Sequence, residues 1–237
     1  MSKERGWRAR VLPYGIEAPY VPAGLAAGGA ACCLVARWRR APWAAAFGVA
    51  LLGQAGLYLH TTVRGKVRVW RSELDRLGLR GNEQLLDLGC GRGAVLIEAA
   101  HHLPAGRAVG VDLWRSQDQS GNDPGAARAN ARAAGVSERV ELHTADMTAL
   151  PFPDGSFDVV TGALAIHNIP TALGRQHALD EALRVLRPGG RLLIADFRYT
   201  ADYHRHLGPA AESRGLGPGY WYGGPCAATT LLSITKR

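Results

Sequence analysis

The chain has 237 residues, 47% of them hydrophobic, enough for one good-sized α/β core and an appendage but short for two full domains. Its net charge of +8 is unevenly placed: residues 1–80 hold 13 Lys/Arg against 4 Asp/Glu, whereas residues 81–237 hold 15 against 16. A C-terminal part with no excess basicity argues against a grip on nucleic acid, and Cys32, Cys33, Cys90 and Cys226, lacking any CxxC spacing, argue against a zinc site or a disulfide framework and suit a reducing compartment.

In chain order, residues 13–22 (PYGIEAPYVP) carry three prolines, which block regular structure, so residues 1–20 are expected to be an irregular segment, either ordered or simply a linker. Within it, Tyr14, Glu17 and Tyr20 are the side chains able to reach a substrate. Residues 23–36 then hold no charge and are followed at once by Arg37, Trp38, Arg39 and Arg40. Residues 41–59 hold only Gln54 as a strongly polar side chain and lead into Arg64, Lys66, Arg68 and Arg71.

A bilayer core is crossed by about 20 apolar residues in a helix. The second run meets that length, and the first does so if Val21, Pro22 and Trp38 extend it. The pattern predicts a membrane hairpin over residues 21–60 ahead of a domain over 61–237, with small residues letting the two helix backbones approach. Lys3, Arg5, Arg8 and Arg10 join the cluster after Tyr58 on one side and outnumber the three arginines of the connecting loop, which places the domain on the cytoplasmic face of a multi-pass cell-membrane protein. A cleaved signal peptide fits poorly, because Pro13, Pro19 and Pro22 precede the run and its n-region would be too long. The competing expectation is a soluble cap of Ala-rich helices packed on the domain.

From residue 84 onward, strand-like and helix-like runs alternate. Residues 84–89, 107–113, 140–146, 157–164 and 191–197 are apolar strands, and 92–103, 124–135 and 171–187 have helical spacing, the last stopped by Pro188-Gly189-Gly190. Strands that are apolar throughout and separated by helices predict a parallel sheet covered on both faces, a doubly wound α/β fold. The tail, residues 219–224 and 228–236, reads as an antiparallel hairpin at the sheet edge.

In such a sheet, ligands bind beyond the carboxyl ends of the strands. There the chain reads LLDLGCGRGA, with Asp87, Gly89, Gly91 and Gly93 in G-x-G-x-G spacing rather than the dinucleotide G-x-G-x-x-G. A carboxylate two residues before the first glycine repels a pyrophosphate and attracts an amino group. Asp112, ending the second strand, can accept both ribose hydroxyls, and Asp146-Met147, ending the third, can meet an adenine amino group and ring. Amino acid, ribose and base together read as S-adenosylmethionine.

The segments LLDLGCGRGAVL, VGVDL, TADMTALPFPDGSFDVV and LRPGGRLLIADF resemble, in order and spacing, the motif series of class I S-adenosylmethionine-dependent methyltransferases, over about residues 66–237. Within that family they are most similar to the branch that methylates small molecules, including quinone precursors and sterols. The resemblance implies a seven-stranded Rossmann-like sheet whose last strand is antiparallel, with Asp87, Gly89, Cys90, Gly91 and Gly93 at the methionine end, Asp112 and Leu113 on the ribose, Asp146 and Met147 at the adenine, and Ala163 in the same site. Two features depart from it: the long polar segment 114–123 (WRSQDQSGND), which either folds over the adenosine through Trp114 or Arg115 or is a solvated loop, and the hairpin itself.

Methyl transfer is an in-line displacement at an activated sulfonium, so most of the rate can come from alignment in a dry site, and a base is needed only for a protonated acceptor. The residues after strand four read ALAIHNIP. His167 there is either a general base or a structural histidine bracing the glycine loop. His60, Thr61, Thr62, Tyr220, Trp221 and Tyr222 receive no catalytic role. The absence of an Asn-Pro-Pro-Tyr-like motif after strand four argues against nucleic-acid bases as acceptors. The reading is therefore a membrane-anchored methyltransferase, with the bilayer as partner, acting on a small lipophilic acceptor; the alternative is a membrane-bound S-adenosylmethionine sensor or scaffold without catalysis.

Overall fold

The computed structural model describes residues 14–222, 224 and 228–237. Lys3, Arg5, Arg8, Arg10, Pro13 and Cys226 lie outside these residues. The chain opens with two antiparallel helices, α1 (Tyr20–Arg39) and α2 (Pro42–His60). Tyr20 to Pro22 and Trp38 belong to α1, which lengthens the first apolar run into a helix of 20 residues. Proline is tolerated at position 22 because the first-turn N–H groups of a helix have no intrahelical partner.

Small residues set the distance between the two helices. A Cβ added to Gly48 would meet Gly29 O at 2.8 Å and Cys33 Sγ at 2.7 Å, so the backbones touch where glycines face each other. Outward, the pair is apolar: Leu34, Phe47 and Val49 are more than half exposed, and Trp38 and Trp43 flank the basic turn between the helices. Both α1 and the continuous helical stretch Pro42–Leu77 have the length and the mean hydropathy, 1.3, of membrane-crossing helices. Only 17% and 22% of their apolar windows are buried within the protein, unlike the core helix of a globular domain.

A π-helical turn, Thr61–Gly65, joins α2 to α3 (Lys66–Leu77), with the Lys66 N–H reaching back to Thr61 O. The wider turn re-aims the helix, and α3 lies against the first helix of the domain with Trp70 and Leu74 in its core. After it come β1 (Gln84–Leu88), α4 (Ala94–His102), β2 (Arg107–Asp112), α5 (Pro124–Ala133), β3 (Val140–Thr144), β4 (Phe157–Ala163), α6 (Ala172–Val185), β5 (Leu186–Asp196), α7 (Thr200–Leu207), β6 (Glu212–Gly215) and β7 (Thr230–Thr235). Helix starts follow local chemistry: Asp123 Oδ1 accepts from Gly125 N and Ala126 N ahead of α5, and Thr171 Oγ1 accepts from Gly174 N ahead of α6.

The sheet runs β3-β2-β1-β4-β5-β7-β6, with β1 to β5 parallel and β7 antiparallel to β5, a seven-stranded sheet with an antiparallel last strand as the resemblance implies. Both faces are covered. Alternate residues of one strand enter opposite cores, Leu85 beneath α3 and α4, Leu86 and Leu88 beneath α6 and α7, which is why these strands read as continuous apolar runs.

Two expectations are corrected. Among the described residues, 219–222 do not form a strand: β7 pairs with β6, and an isolated bridge joins Trp221 to Ala228. Tyr220 and Tyr222 turn inward instead, 1% and 5% exposed, against Trp70 and Tyr58, a burial that an edge strand would forfeit. Pro188-Gly189-Gly190 lies inside β5 rather than before it. It forms a bulge between the Phe157–Leu186 and Val159–Arg191 pairs, held by Gly189 N and Gly190 O bonding to Lys236.

Candidate functional site

The carboxyl ends of β1, β2 and β4 and the loop after β3 surround one cleft. Gly89 and Gly91, with φ of 65° and 51°, adopt a left-handed backbone suited to glycine. A Cβ on Gly89 would come 2.4 Å from the Ala165 Cβ, so the loop and the segment after β4 close up only because that atom is missing. Of the residues singled out in the sequence, Gly89, Gly91, Asp112, Leu113, Asp146, Met147 and Ala163 line this cleft.

Asp112 organises it. Its carboxylate accepts Gly91 N at 2.8 Å, Trp114 N at 2.6 Å and Asn122 Nδ2 at 3.1 Å, tying the glycine loop to the end of β2 and to segment 114–123. Asp146 uses Oδ1 to receive the Thr148 N–H and hydroxyl, both at 2.8 Å, and Oδ2 has no partner among the described residues. Asn122 Oδ1 is buried and likewise unpartnered among them, an acceptor in the cleft wall.

Three predicted residues lie behind the cleft. Asp87, 1% exposed, sits across the sheet from Thr161, whose hydroxyl donates to it at 2.8 Å. Burial, reinforced by the nearby Asp112 charge and opposed by the Thr161 hydrogen bond, pushes its carboxyl up to about 7. Cys90 packs its sulfur onto Gly110 of β2, at a spot where a Cβ would be only 2.7 Å from Sγ, and Gly93 starts α4. These three shape the loop from beneath.

Segment 114–123 is a wall of the cleft, not a solvated loop. Arg115, Asp118, Gln119 and Asn122 line it, whereas Trp114 reaches sideways to donate to Thr144 Oγ1. The segment is pinned by the N-terminal residues: Ile16 N donates to Ser120 Oγ, Ser120 N to Ile16 O, and Ala18 N to Asp118 O. Glu17 and Gln119 form an antiparallel bridge.

Glu17 is thus no linker residue. Its carboxylate receives the Thr62 hydroxyl, the Lys66 ammonium, the Gln119 amide and the Tyr222 hydroxyl, and its carbonyl receives the Tyr58 hydroxyl. Lys66 is 3% exposed, so this is a buried ion pair at the junction of the N-terminal segment, α2–α3 and the C-terminal tail. Gln119 extends the network into the cleft, with Oε1 accepting Arg92 N at 2.8 Å beside Gly91. Only the unusual length of 114–123 hinted at this arrangement.

His167 lies in a short 3-10 turn, Ile166–Asn168, and does not brace the glycine loop; Ala165 does that. Its Nδ1 is 2.8 Å from Asp196 Oδ1, an ion-pair distance without hydrogen-bond alignment, and its backbone N–H donates to Asp196 Oδ2. Asp196, fully buried at the end of β5, was not singled out by the sequence, although RLLIADF places an acid at a carboxyl strand end. His167 faces a second cavity, contiguous with the first through Glu17, Asp118, Leu164 and Asn168.

Residues 86–194 match the family described as "Methyltransferase domain". The chain is 40% identical over 121 residues to 27-O-demethylrifamycin SV methyltransferase of Amycolatopsis mediterranei, covering 51% of this chain and 41% of that protein. It is 37% identical over 131 residues to the ubiquinone/menaquinone biosynthesis C-methyltransferase UbiE of Roseobacter denitrificans, covering 55% and 49%. The chain thus spans about half the length of the curated relatives it matches. The fold is shared with geranyl diphosphate C-methyltransferase from Streptomyces coelicolor, crystallised with S-adenosyl-L-homocysteine: TM-score 0.55, 19% identity, covering 70% of this chain and 78% of that one. The glycine approach at Gly89, the carboxylates at both ends of the cleft and the unpartnered Asn122 acceptor suit the nucleoside of such a ligand. Residues 86–194 therefore match a methyltransferase domain, carried on a Rossmann-like sheet, and the cofactor is S-adenosylmethionine.

Proposed function

We propose that this chain moves a methyl group from S-adenosylmethionine to a small, lipophilic acceptor while anchored in the membrane by α1 and α2, with the domain over residues 61–237 on the cytoplasmic side. The observation that carries the transferase reading is the pair of contiguous cavities, one lined by Asp112, Asp146 and the glycine loop, the other faced by His167. The cofactor supplies an activated sulfonium methyl; the chain supplies alignment and exclusion of water. Asp112 holds the ribose side while fixing Gly91. Asp146 and Met147 hold the base, Gly89 lets the segment after β4 approach, and segment 114–123 covers the cleft.

Support for the anchor is the outward apolar surface of the hairpin, with Trp38 and Trp43 beside Arg37, Arg39 and Arg40 at its turn, the composition of a membrane interface. Anchoring concentrates the enzyme where a lipophilic acceptor dissolves. The relatives named above also act, by their names, on small molecules.

The test incubates methyl-tritiated S-adenosylmethionine with host membranes carrying the wild-type chain or Asp112→Ala and partitions the label between organic solvent and water. Organic-phase label that disappears in the variant supports the proposal. Label confined to water refutes the lipophilic acceptor, and binding of S-adenosylhomocysteine with no turnover of any membrane or soluble extract favours a sensor.

A further inference from the structure

The second cavity, about 460 Å³, lies between the base of the hairpin and the ends of β4 and β5. That volume is in the range of small-molecule sites. Its walls differ along their length. The inner end carries His167 and Asn168 next to the cofactor cleft, and Phe197 with its ring centroid 4.7 Å from that of His167. The outer end is formed by Tyr20 and Val21 at the start of α1 and by Tyr58 near the end of α2, where the apolar outer surface of the hairpin begins.

We infer, building on the transferase reading above, that this cavity is the acceptor site, taking an amphipathic molecule whose hydroxyl head meets His167 and whose apolar tail leaves past Val21 and Tyr20 along the hairpin. Three observations converge on it. It shares Leu164 and Asn168 with the cofactor cleft, so its inner end adjoins that cleft. His167 Nδ1 lies 2.8 Å from a carboxylate oxygen of the buried Asp196, an ion-pair distance, and Nε2 has no partner among the described residues. At its other end the cavity is walled by Tyr20, Val21 and Tyr58, where α1 and α2 meet the domain.

The chemistry balances within the site. As the acceptor oxygen forms its bond to the methyl carbon, the carbon–sulfur bond breaks and its electron pair neutralises the sulfonium. The hydroxyl proton passes to His167 Nε2, where Asp196 stabilises the imidazolium, and then to solvent. Asp118 and Glu17 also line this cavity and Arg198 sits at its rim, so His167 works among both signs of charge.

The test uses the full chain in detergent with S-adenosylhomocysteine and a 4-alkylphenol carrying a diazirine in its alkyl chain, followed by peptide mapping. The expected adducts fall on residues 17–21, Tyr58 or Phe197. 4-Octylphenol displaces the probe about tenfold better than octylbenzene, the worth of one hydrogen bond to a buried polar group. His167→Leu removes that preference, and Val21→Trp lowers labelling at least tenfold, while S-adenosylhomocysteine binding by both variants stays unchanged. Adducts confined to outward residues such as Leu34 and Val49, or equal displacement by both competitors, overturn the acceptor site alone. Failure of the wild-type chain to bind S-adenosylhomocysteine overturns the cofactor-dependent reading beneath it.

Discussion

Gly65 sits in the π-helical turn where a Cβ would be 2.0 Å from the Gly219 carbonyl oxygen. An ordinary contact of that kind needs more than 3 Å, so Gly65→Ala forces the turn and the tail apart by about 1 Å, with backbone on both sides and no flexible side chain to yield. The bonds that close this junction are Thr61 Oγ1 to Trp221 O at 3.0 Å and Trp70 Nε1 to Tyr220 OH at 3.1 Å, alongside the edge-on Tyr58–Tyr222 ring pair at 5.1 Å. Losing two hydrogen bonds at about 1 kcal/mol each and a ring contact of similar size gives about 3 kcal/mol. For a chain of this size that lowers the thermal midpoint by roughly 6–12 °C. Because Tyr222 also donates to Glu17, S-adenosylhomocysteine affinity should fall as well. Thermal unfolding in detergent and a binding titration measure both. An alanine variant that melts with the wild type would show that the tail does not clamp the hairpin to the domain.

Burial pushes the Asp87 carboxyl, ordinarily near 3.8, up to about 7 in the folded chain. The folded state then binds the extra proton between these values, and stability declines as pH rises from about 4 to 7. Asp87→Asn keeps an acceptor for Thr161 and cannot ionise, so it should lack this decline and be more stable at pH 8 by up to about 4 kcal/mol; identical pH slopes of melting for both chains would contradict the assignment. Asp112→Ala releases the Gly91, Trp114 and Asn122 donors and should weaken S-adenosylhomocysteine at least tenfold in a titration, at 1.5–3 kcal/mol for a charged hydrogen bond, roughly. Glu17→Ala leaves the Lys66 ammonium buried without its carboxylate and should cost about 3 kcal/mol, whereas Glu17→Gln with Lys66→Met should recover most of it, as read from melting midpoints. Gly48→Leu places its side chain against the Gly29 carbonyl and Cys33, and should separate α1 from α2 as followed by a fluorophore pair at the hairpin turn.

The sheet was legible because each parallel strand is buried on both faces and so stands out as a short apolar run between helical periods. The cofactor cleft was legible because glycines and acids at carboxyl strand ends have few other reasons to recur in that order. What escaped was decided by distant pairing. Glu17 lies in a proline-rich segment that reads as linker, and only its meeting with Gln119, Lys66 and Tyr222 makes it part of a wall. The tail followed the same rule: a run of three aromatics suits an edge strand, but Tyr220 and Tyr222 gain more by filling the gap beside Trp70 and Tyr58. Asp87 was legible as an acid near the glycine loop, and its depth beneath that loop was not, because a single carboxylate in an apolar strand carries no signal of which side it turns to.

The Glu17–Tyr222 contact spans 205 positions of the chain. During synthesis α1 and α2 leave the ribosome long before the tail that secures them, and contacts so remote in sequence are slow to form. The hairpin therefore enters its final surroundings before the carboxylate between it and the sheet has all its partners. A nascent chain halted before residue 220 would carry both apolar helices and the glycine loop yet leave Glu17 without the Tyr222 hydroxyl. Closure of this junction therefore waits on synthesis of residues 220–222, near the end of the described fold.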